Sequence, residues 1–353
     1  MHIPDGYISP ETAVAFYGAA APFWYVASRK LKRLLSGQTV PLLALFSAFS
    51  FTIMMFNIPV PGGTTAHAVG GTLAAIVMGP WAAIVAVSVA LIIQALFFGD
   101  GGITAIGANC FNMAIVLPLL GYGVYWLISR GSNPLSRRRL VAAAIGAYLG
   151  INAAGLLVGI ELGIQPIFWT HGGRALYAPY PLSVSIPAVM IPHLTLAGIA
   201  EVVATVFGVA YVQRVQPGLL TERASSTSGS AQPSTGRSRV GLTVAAFVVM
   251  LIAVPLGLLA SGGAWGEWGA SELGNRVGYV PSGMNSLQSI WSAPFAGYTL
   301  PWVSDSASFG QLALAYILSA VVGVGMIFVV AFSLKILARR RAEARAVLPA
   351  QGG

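Results

Sequence analysis

Stretches of roughly twenty apolar residues recur along the whole chain, and that pattern excludes a water-soluble globule. A hydrocarbon core about 30 Å thick is crossed by roughly 20 residues of α-helix. Here the apolar runs lie near residues 11–28, 40–57, 68–79, 81–98, 108–129, 139–162, 183–212, 240–260 and 311–337. With 56% hydrophobic and 8% charged residues, there is too little polar surface to cover 353 residues in water. The chain is therefore expected to be an all-α polytopic integral membrane protein, a bundle of about seven spans followed by a two-helix C-terminal module. The run at 68–79 is too short to cross alone, and Gly79-Pro80-Trp81 separates it from the next. These two are expected to form a tight hairpin or a broken helix, a feature beside which transporters often place sites.

The basic residues orient the spans, because cytoplasmic loops collect Lys and Arg. Arg29, Lys30, Lys32 and Arg33 follow the first run, and Arg130 and Arg137 to Arg139 flank the fifth loop. Arg214, Arg223, Arg237 and Arg239 lie between the seventh and eighth runs, while Lys335, Arg339, Arg340, Arg341 and Arg345 close the chain. Only Arg174 and Arg276 fall on the other side. The N-terminus is thus expected outside and the C-terminus in the cytoplasm, and the pI of about 9.9 reports topology, not nucleic-acid binding. The outer side carries Asp5, Glu11, Asp100, Glu161, Glu267, Glu272 and Asp305, a negative field that either draws cations or simply follows from the positive-inside bias. The residues before the first run are acidic and the run is long enough to span, so no cleaved signal is expected and Met1 should persist.

Met1-His2-Ile3-Pro4-Asp5-Gly6 opens the chain. A histidine in second position lets the α-amine of Met1, the backbone nitrogen of His2 and its imidazole close two fused chelate rings on one ion. One further imidazole, such as that of His67, completes a square of four nitrogens, a geometry that suits Ni(II) or Cu(II) better than Zn(II). A solvated terminal histidine is the alternative reading. The prolines and glycines of Ile58 to His67 can turn the chain so that His67 meets the terminus. In the next outer loop, Asp100 or Asn109 can hydrogen-bond a metal-bound imidazole, although tight-turn chemistry alone explains the surrounding glycines.

Other polar residues carry less. Cys110, the only cysteine, excludes an internal disulfide and reads as a small packed residue. Gln94 within a span needs a partner, as helix-packing glue. His193 and Glu201, eight residues apart near one helix face, either pair, meet a coupling partner or lock the bundle. His171 reads as a surface residue. From Gln216 to Arg239 the chain turns Ser/Thr/Gly/Pro-rich without periodicity, a flexible cytoplasmic linker. This divides the chain into a bundle at 1–215, a linker at 216–239 and a two-span module at 240–353. The outer loop of that module, 261–310, is rich in glycine, proline and aromatics, which suits an ordered cap.

The start MHIPDGYIS, the loop IPVPGGTTAHAVGGTLAAIVMGPW, the stretch QALFFGDGGITAIGANCFNMA and IPHLTLAGIAEVVAT occur in this order. Together they resemble the CbiM/NikM family, the substrate-capturing S components of energy-coupling factor transporters for cobalt and nickel. The resemblance covers roughly residues 1–214. It implies uptake of Co(II) or Ni(II) across a prokaryotic plasma membrane, with Met1, His2 and His67 as ligands. The metal is then a transported substrate and no organic cofactor is implied. GAWGEWGASEL and GYVPSGM further on are more loosely similar to the two-helix accessory subunits CbiN or NikN, fused here to the S component. The resemblance suggests that the fused outer loop approaches the binding loop and helps to load or release metal. There Glu267 or Glu272 relays an ion or is a solvated carboxylate. The fused module inclines the choice of ion towards cobalt, with cobalamin biosynthesis as its use.

No G-x-x-x-x-G-K-[ST] loop exists, and Lys30, Lys32 and Lys335 do not follow the required glycines, so energy must come from partners. The resemblance implies a transmembrane T component like CbiQ or NikQ and ABC-type ATPases like CbiO or NikO, beside the lipid bilayer. An intramembrane metal-dependent hydrolase is the competing class, but H-E-x-x-H is absent and four nitrogens leave no position for a catalytic water. An ion-coupled carrier or channel would need several intramembrane acids, whereas Glu201 stands nearly alone. A sensor is a further alternative.

Overall fold

The structure, a computed structural model, describes residues 1–34, 39–60, 64–220, 237–260, 263–304 and 307–347. Asp305 and most of the expected linker lie outside the described residues. The chain enters its first helix, α1 (Pro10–Leu34), through a local signal. The Ser9 hydroxyl accepts the amide of Thr12, and Pro10 opens the first turn, where its missing N–H costs nothing. α2 (Thr39–Met54) leads to a two-stranded antiparallel hairpin of β1 (Ile58–Val60) and β2 (Thr64–Ala66), in which Ile58 faces Ala66 and Val60 faces Thr64.

The short apolar run becomes α3 (Gly71–Met78), whose eight residues are all buried. At 1.5 Å per residue it is about 12 Å long and cannot cross a bilayer. Gly79, at φ 84°, breaks the chain before Pro80 starts α4 (Pro80–Ile93). The break foreseen at Gly79-Pro80 is present, and α3 packs on α4 as a separate half-helix inside the bundle.

Among the described residues, five helical segments are long and apolar enough to span, at Pro80–Phe98, Ile106–Ser129, Arg137–Phe168, Leu182–Val215 and Phe309–Ile336. The first runs from α4 into a π-helical turn at Gln94–Phe98. The second joins α5 (Ile106–Asn109), a π turn at Cys110–Val116 and α6 (Leu117–Ser129). α7 (Arg137–Gly163) continues through α8 (Gln165–Phe168), followed by a small hairpin of β3 (Thr170–His171) and β4 (Arg174–Ala175). α9 (Leu182–Pro192) carries Pro187 and Pro192, and a π turn at His193–Ala197 separates it from α10 (Gly198–Val215). Proline removes a helical donor and crowds the preceding turn, so the helix widens into this π turn while Leu182–Val215 remains one helical segment, as the run at 183–212 suggests. With α1 and the shorter apolar stretches, these make a helical polytopic membrane protein.

The C-terminal part contributes α11 (Arg237–Ala253), a 3₁₀ turn at Val254–Leu259 and α14 (Phe309–Val347), which extends beyond the expected end of the last span. Between them α12 (Ala270–Val277), α13 (Ser282–Leu287) and a turn at Ala296–Tyr298 lie over the end of the bundle that carries the N-terminus. α14 packs on α2, with Tyr316 donating to the Met55 carbonyl at 3.0 Å. A Cβ at Gly323 would sit 2.2 Å from Phe51 Cζ, so only glycine permits this approach. Phe51 in turn meets Phe98 and Tyr298, with ring centroids 5.3 and 6.1 Å away.

Gly323→Val should therefore overpack the contact between α14 and α2. The expected cost is about 1–3 kcal/mol, seen as a melting temperature several degrees lower for the full chain in detergent.

Candidate metal centre

Two separate segments, the N-terminus and the loop after β2, bring nitrogen donors together at one end of the bundle. The first eight residues form no helix, yet Met1, His2 and Ile3 are 5%, 4% and 0% exposed. They are tied down by main-chain bonds. Ile3 N donates to Asn109 Oδ1 at 2.8 Å, and Asn109 Nδ2 returns a bond to the Ile3 carbonyl at 3.1 Å. Gly102 N donates to the same carbonyl at 2.8 Å, and Ala178 N donates to the carbonyl of Tyr7 at 3.0 Å. Asp5 accepts from the amides of Ile103 and Thr104 at 3.1 and 2.8 Å. The terminus is thus held like an internal strand, with its amine facing inward.

His67 follows β2 and enters the same space. Its Nδ1 donates to the Ala68 carbonyl at 3.1 Å, which leaves Nε2 as the bare nitrogen, 3.4 Å from the Met1 amine. The His2 and His67 rings stack with centroids 5.0 Å apart. Burial, the Met1 ammonium and the His2 ring hold His67 well below the ordinary histidine range, so its ring is neutral and able to act as a ligand. Among the described residues no three His, Cys, Asp or Glu side chains gather as a metal-holding group. Any metal held here must draw on main-chain nitrogens as well.

Carboxylates complete the arrangement. His2 Nδ1 donates to Asp100 Oδ1 at 2.9 Å, whereas His2 Nε2 is buried without a partner. Asp100 also accepts from the Tyr298 hydroxyl at 2.5 Å, and Gln94 Nε2 donates to that hydroxyl at 2.8 Å. Burial pushes the Asp100 carboxyl up, but the His2 ring and the Tyr298 hydroxyl outweigh it and hold the group well below the usual carboxylate range. Tyr298 sits at φ 60°, a strained position for a non-glycine residue. Its ring is stacked on Phe98 at 5.0 Å and edge-on to Tyr316 at 5.4 Å, which fixes it there. Glu267 Oε1 accepts from the Met1 amine at 2.9 Å and from the His2 amide at 3.0 Å.

Several expectations change here. Asp100 does reach an imidazole, but Asn109 binds the Ile3 backbone and neither histidine. Glu267 is not a solvated carboxylate, whereas Glu272 is, paired with Arg276 on an exposed helix face. Asp5, Asp100, Glu161 and Glu267 all have hydrogen-bond partners, so these four acids are not solvated side chains without a contact. Gln94 serves the Tyr298 network, Cys110 is fully buried, and His171 is exposed. His193 and Glu201 do not pair. His193 Nδ1 donates to the Val189 carbonyl at 2.6 Å, while Glu201 Oε2 accepts from the amides of Val69 and Gly70 at 2.7 and 2.8 Å. Glu201 thereby holds the start of α3 and the loop that bears His67, with Gly70 at φ 74° making the turn. An acid inside a span was a signal for Glu201, but nothing in the sequence pointed to the loop it binds. Tyr298 carried no signal at all.

A family model described as the cobalt uptake substrate-specific transmembrane region, CbiM, matches residues 2–219. The chain belongs to the CbiM family. A second model, the PDGLE domain, matches residues 239–340. The fused nickel transport protein NikMN of Rhodobacter capsulatus is 47% identical over 343 residues, covering 93% of this chain and 95% of that one. The probable fused nickel transport protein LarMN of Lactiplantibacillus plantarum is 42% identical, covering 92% and 94%. A crystal structure of a truncated transition metal transporter superposes with a TM-score of 0.57 at 52% identity, covering 61% of this chain and 99% of that one.

Glu201→Ala strips the acceptor from two buried amides and is expected to cost about 2–4 kcal/mol. Thermal unfolding in detergent should show this loss, and Glu201→Gln, which keeps a carbonyl acceptor, should lose less.

Proposed function

We propose that this chain is the substrate-capture subunit of an ATP-driven energy-coupling factor importer for Ni(II) or Co(II), and that Met1, His2 and His67 hold the ion near the outer face. The observation that carries this reading is the convergence of a buried terminal amine, the His2 backbone nitrogen and imidazole, and the bare Nε2 of His67, in a family of metal-transport proteins. The amine and the His2 amide close a five-membered ring, and the amide with His2 Nδ1 closes a six-membered one. Nδ1 now faces Asp100, so chelation requires a half-turn of the ring about Cβ–Cγ. That turn puts Nε2 on the edge facing Asp100, which would then orient the bound ring through Nε2–H. Asp100 is the supporting carboxylate in this scheme, and Asn109 supports it by fixing the main chain at Ile3.

The two fused relatives are named as nickel transport proteins, and four nitrogens in a square suit Ni(II). Ni(II) is therefore the first ion we propose, with Co(II) the alternative towards which the fused module inclined. Energy is supplied by a transmembrane T component and cytoplasmic ATPases, with which this chain has to alternate between two states of different metal affinity. We place the N-terminus outside and the C-terminus in the cytoplasm, and divide the chain into a metal-binding bundle at 1–215, a linker at 216–239 and an accessory module at 240–353.

Calorimetric titration of the purified full chain with Ni(II), Co(II), Cu(II) and Zn(II) tests the site. One equivalent of Ni(II) or Co(II) is expected to bind. His67→Ala and His2→Ala should each weaken it at least about 100-fold, beyond the cost of losing a supporting hydrogen bond, and acetylation of the Met1 amine should act alike. Binding that is indifferent to all three changes would refute the chelate.

A further inference from the structure

One carboxylate oxygen holds both main-chain nitrogens of the proposed chelate. Glu267 Oε1 lies 2.9 Å from the Met1 amine and 3.0 Å from the His2 amide nitrogen. A metal that binds a deprotonated amide takes the place of its hydrogen, at about 2 Å from nitrogen, the usual length for a first-row ion. The Glu267 oxygen lies out in roughly that same direction. An ion bridging the two nitrogens would then fall roughly 1 Å from it, well short of a metal–oxygen bond of about 2 Å. We infer that Glu267 occupies the ion's place in the metal-free protein, and that capture of the ion requires the segment around it to withdraw.

The surroundings support this independently. Met1, His2 and His67 are all at most 5% exposed, so an ion from outside has no route to them while the cover is in place. The cover is the stretch that carries Glu267. Tyr7 donates its hydroxyl proton to the Trp268 carbonyl at 2.8 Å, Trp265 and Trp268 pack on Tyr180, and Arg276 lies 4.3 Å above the Trp268 ring. The Tyr298 hydroxyl adds a second hold through Asp100. The buried amine therefore has a counter-charge that belongs to the accessory module, and the ion removes what that carboxylate accepts: the Met1 ammonium and the His2 amide each release a proton to solvent as their nitrogens bond the metal, so both hydrogen bonds to Glu267 are lost. Binding and opening are then one event. The module is docked when the site is empty and released at Glu267 when the site is filled.

This rests on the chelate proposed above, and the test separates the two. Full-length wild type, Glu267→Ala and Glu267→Gln are titrated with Ni(II) in detergent at one fixed pH, with His67→Ala as the control. Removing the competing carboxylate is expected to tighten Ni(II) binding about tenfold, the scale of one charged hydrogen bond, with Glu267→Gln in between. In the wild type, hydrogen exchange of the peptide covering 263–269 should become faster when Ni(II) is added, and this readout requires no variant to fold. Weaker binding by Glu267→Ala would make Glu267 a ligand and overturn the exclusion, as would greater protection of 263–269 with Ni(II). Tight binding that depends on His67 but not on Glu267 overturns the exclusion alone. Absence of Ni(II) binding by all the proteins overturns the chelate and the exclusion with it.

Discussion

A buried ammonium must have a partner, and much of the end of this protein that carries the N-terminus is arranged around that requirement. An isolated charge in a low-dielectric site is costly, and only a close counter-charge with further hydrogen bonds offsets it. The Met1 amine meets Glu267 from one side and the bare nitrogen of His67 from another. Neither contact exists unless the terminus is drawn inside, and the terminus is drawn inside by bonds to Asn109, Gly102, Ile103, Thr104 and Ala178. The loops between helices are thus fixed by an eight-residue segment that has no regular structure of its own.

The bilayer sets the second constraint. Irregular backbone at membrane depth is tolerated only where protein satisfies its polar groups. α3 is too short to cross, so the chain ahead of it lies within the bundle, and its free amides need an acceptor. Glu201 supplies one from α10. A carboxylate in the interior is expensive by itself, but here two charge-assisted bonds fix the half-helix and with it the loop that carries His67. Among the described residues, π turns begin at Gln94, Cys110 and His193, each of which is buried.

The accessory part of the chain is joined to the bundle by two kinds of contact. Within the membrane, Gly323 lets α14 approach Phe51 closely enough for dispersion to act. At the end of the bundle that carries the N-terminus the contacts are both polar and aromatic: Glu267 bonds the terminus, Tyr298 bonds Asp100, Tyr7 bonds the Trp268 carbonyl, Trp291 bonds the Leu96 carbonyl, and Trp265 and Trp268 pack on Tyr180. The first kind suits permanent attachment, and within the second the two Glu267 bonds are those that the proposed ion would exchange. The strain at Tyr298 is held by aromatic packing from both parts of the chain, Phe51 and Phe98 on one side and Tyr316 on the other.

The sequence by itself determined the class of fold, because apolar runs of about twenty residues have one solvent. It also put forward Met1, His2, His67 and Asp100 as candidates, since chelate rings and turn residues are local properties of a few neighbours. The break at Gly79-Pro80 was legible for the same reason. What only the tertiary structure decided is which long-range partners meet. Asn109 faces the Ile3 backbone instead of an imidazole, Glu201 holds the loop before α3 instead of His193, and Glu267 leaves the surface to cover the terminal amine. Those choices depend on pairs up to 266 residues apart. Their physical cause is the demand that each buried charge find its complement, which no local spacing records.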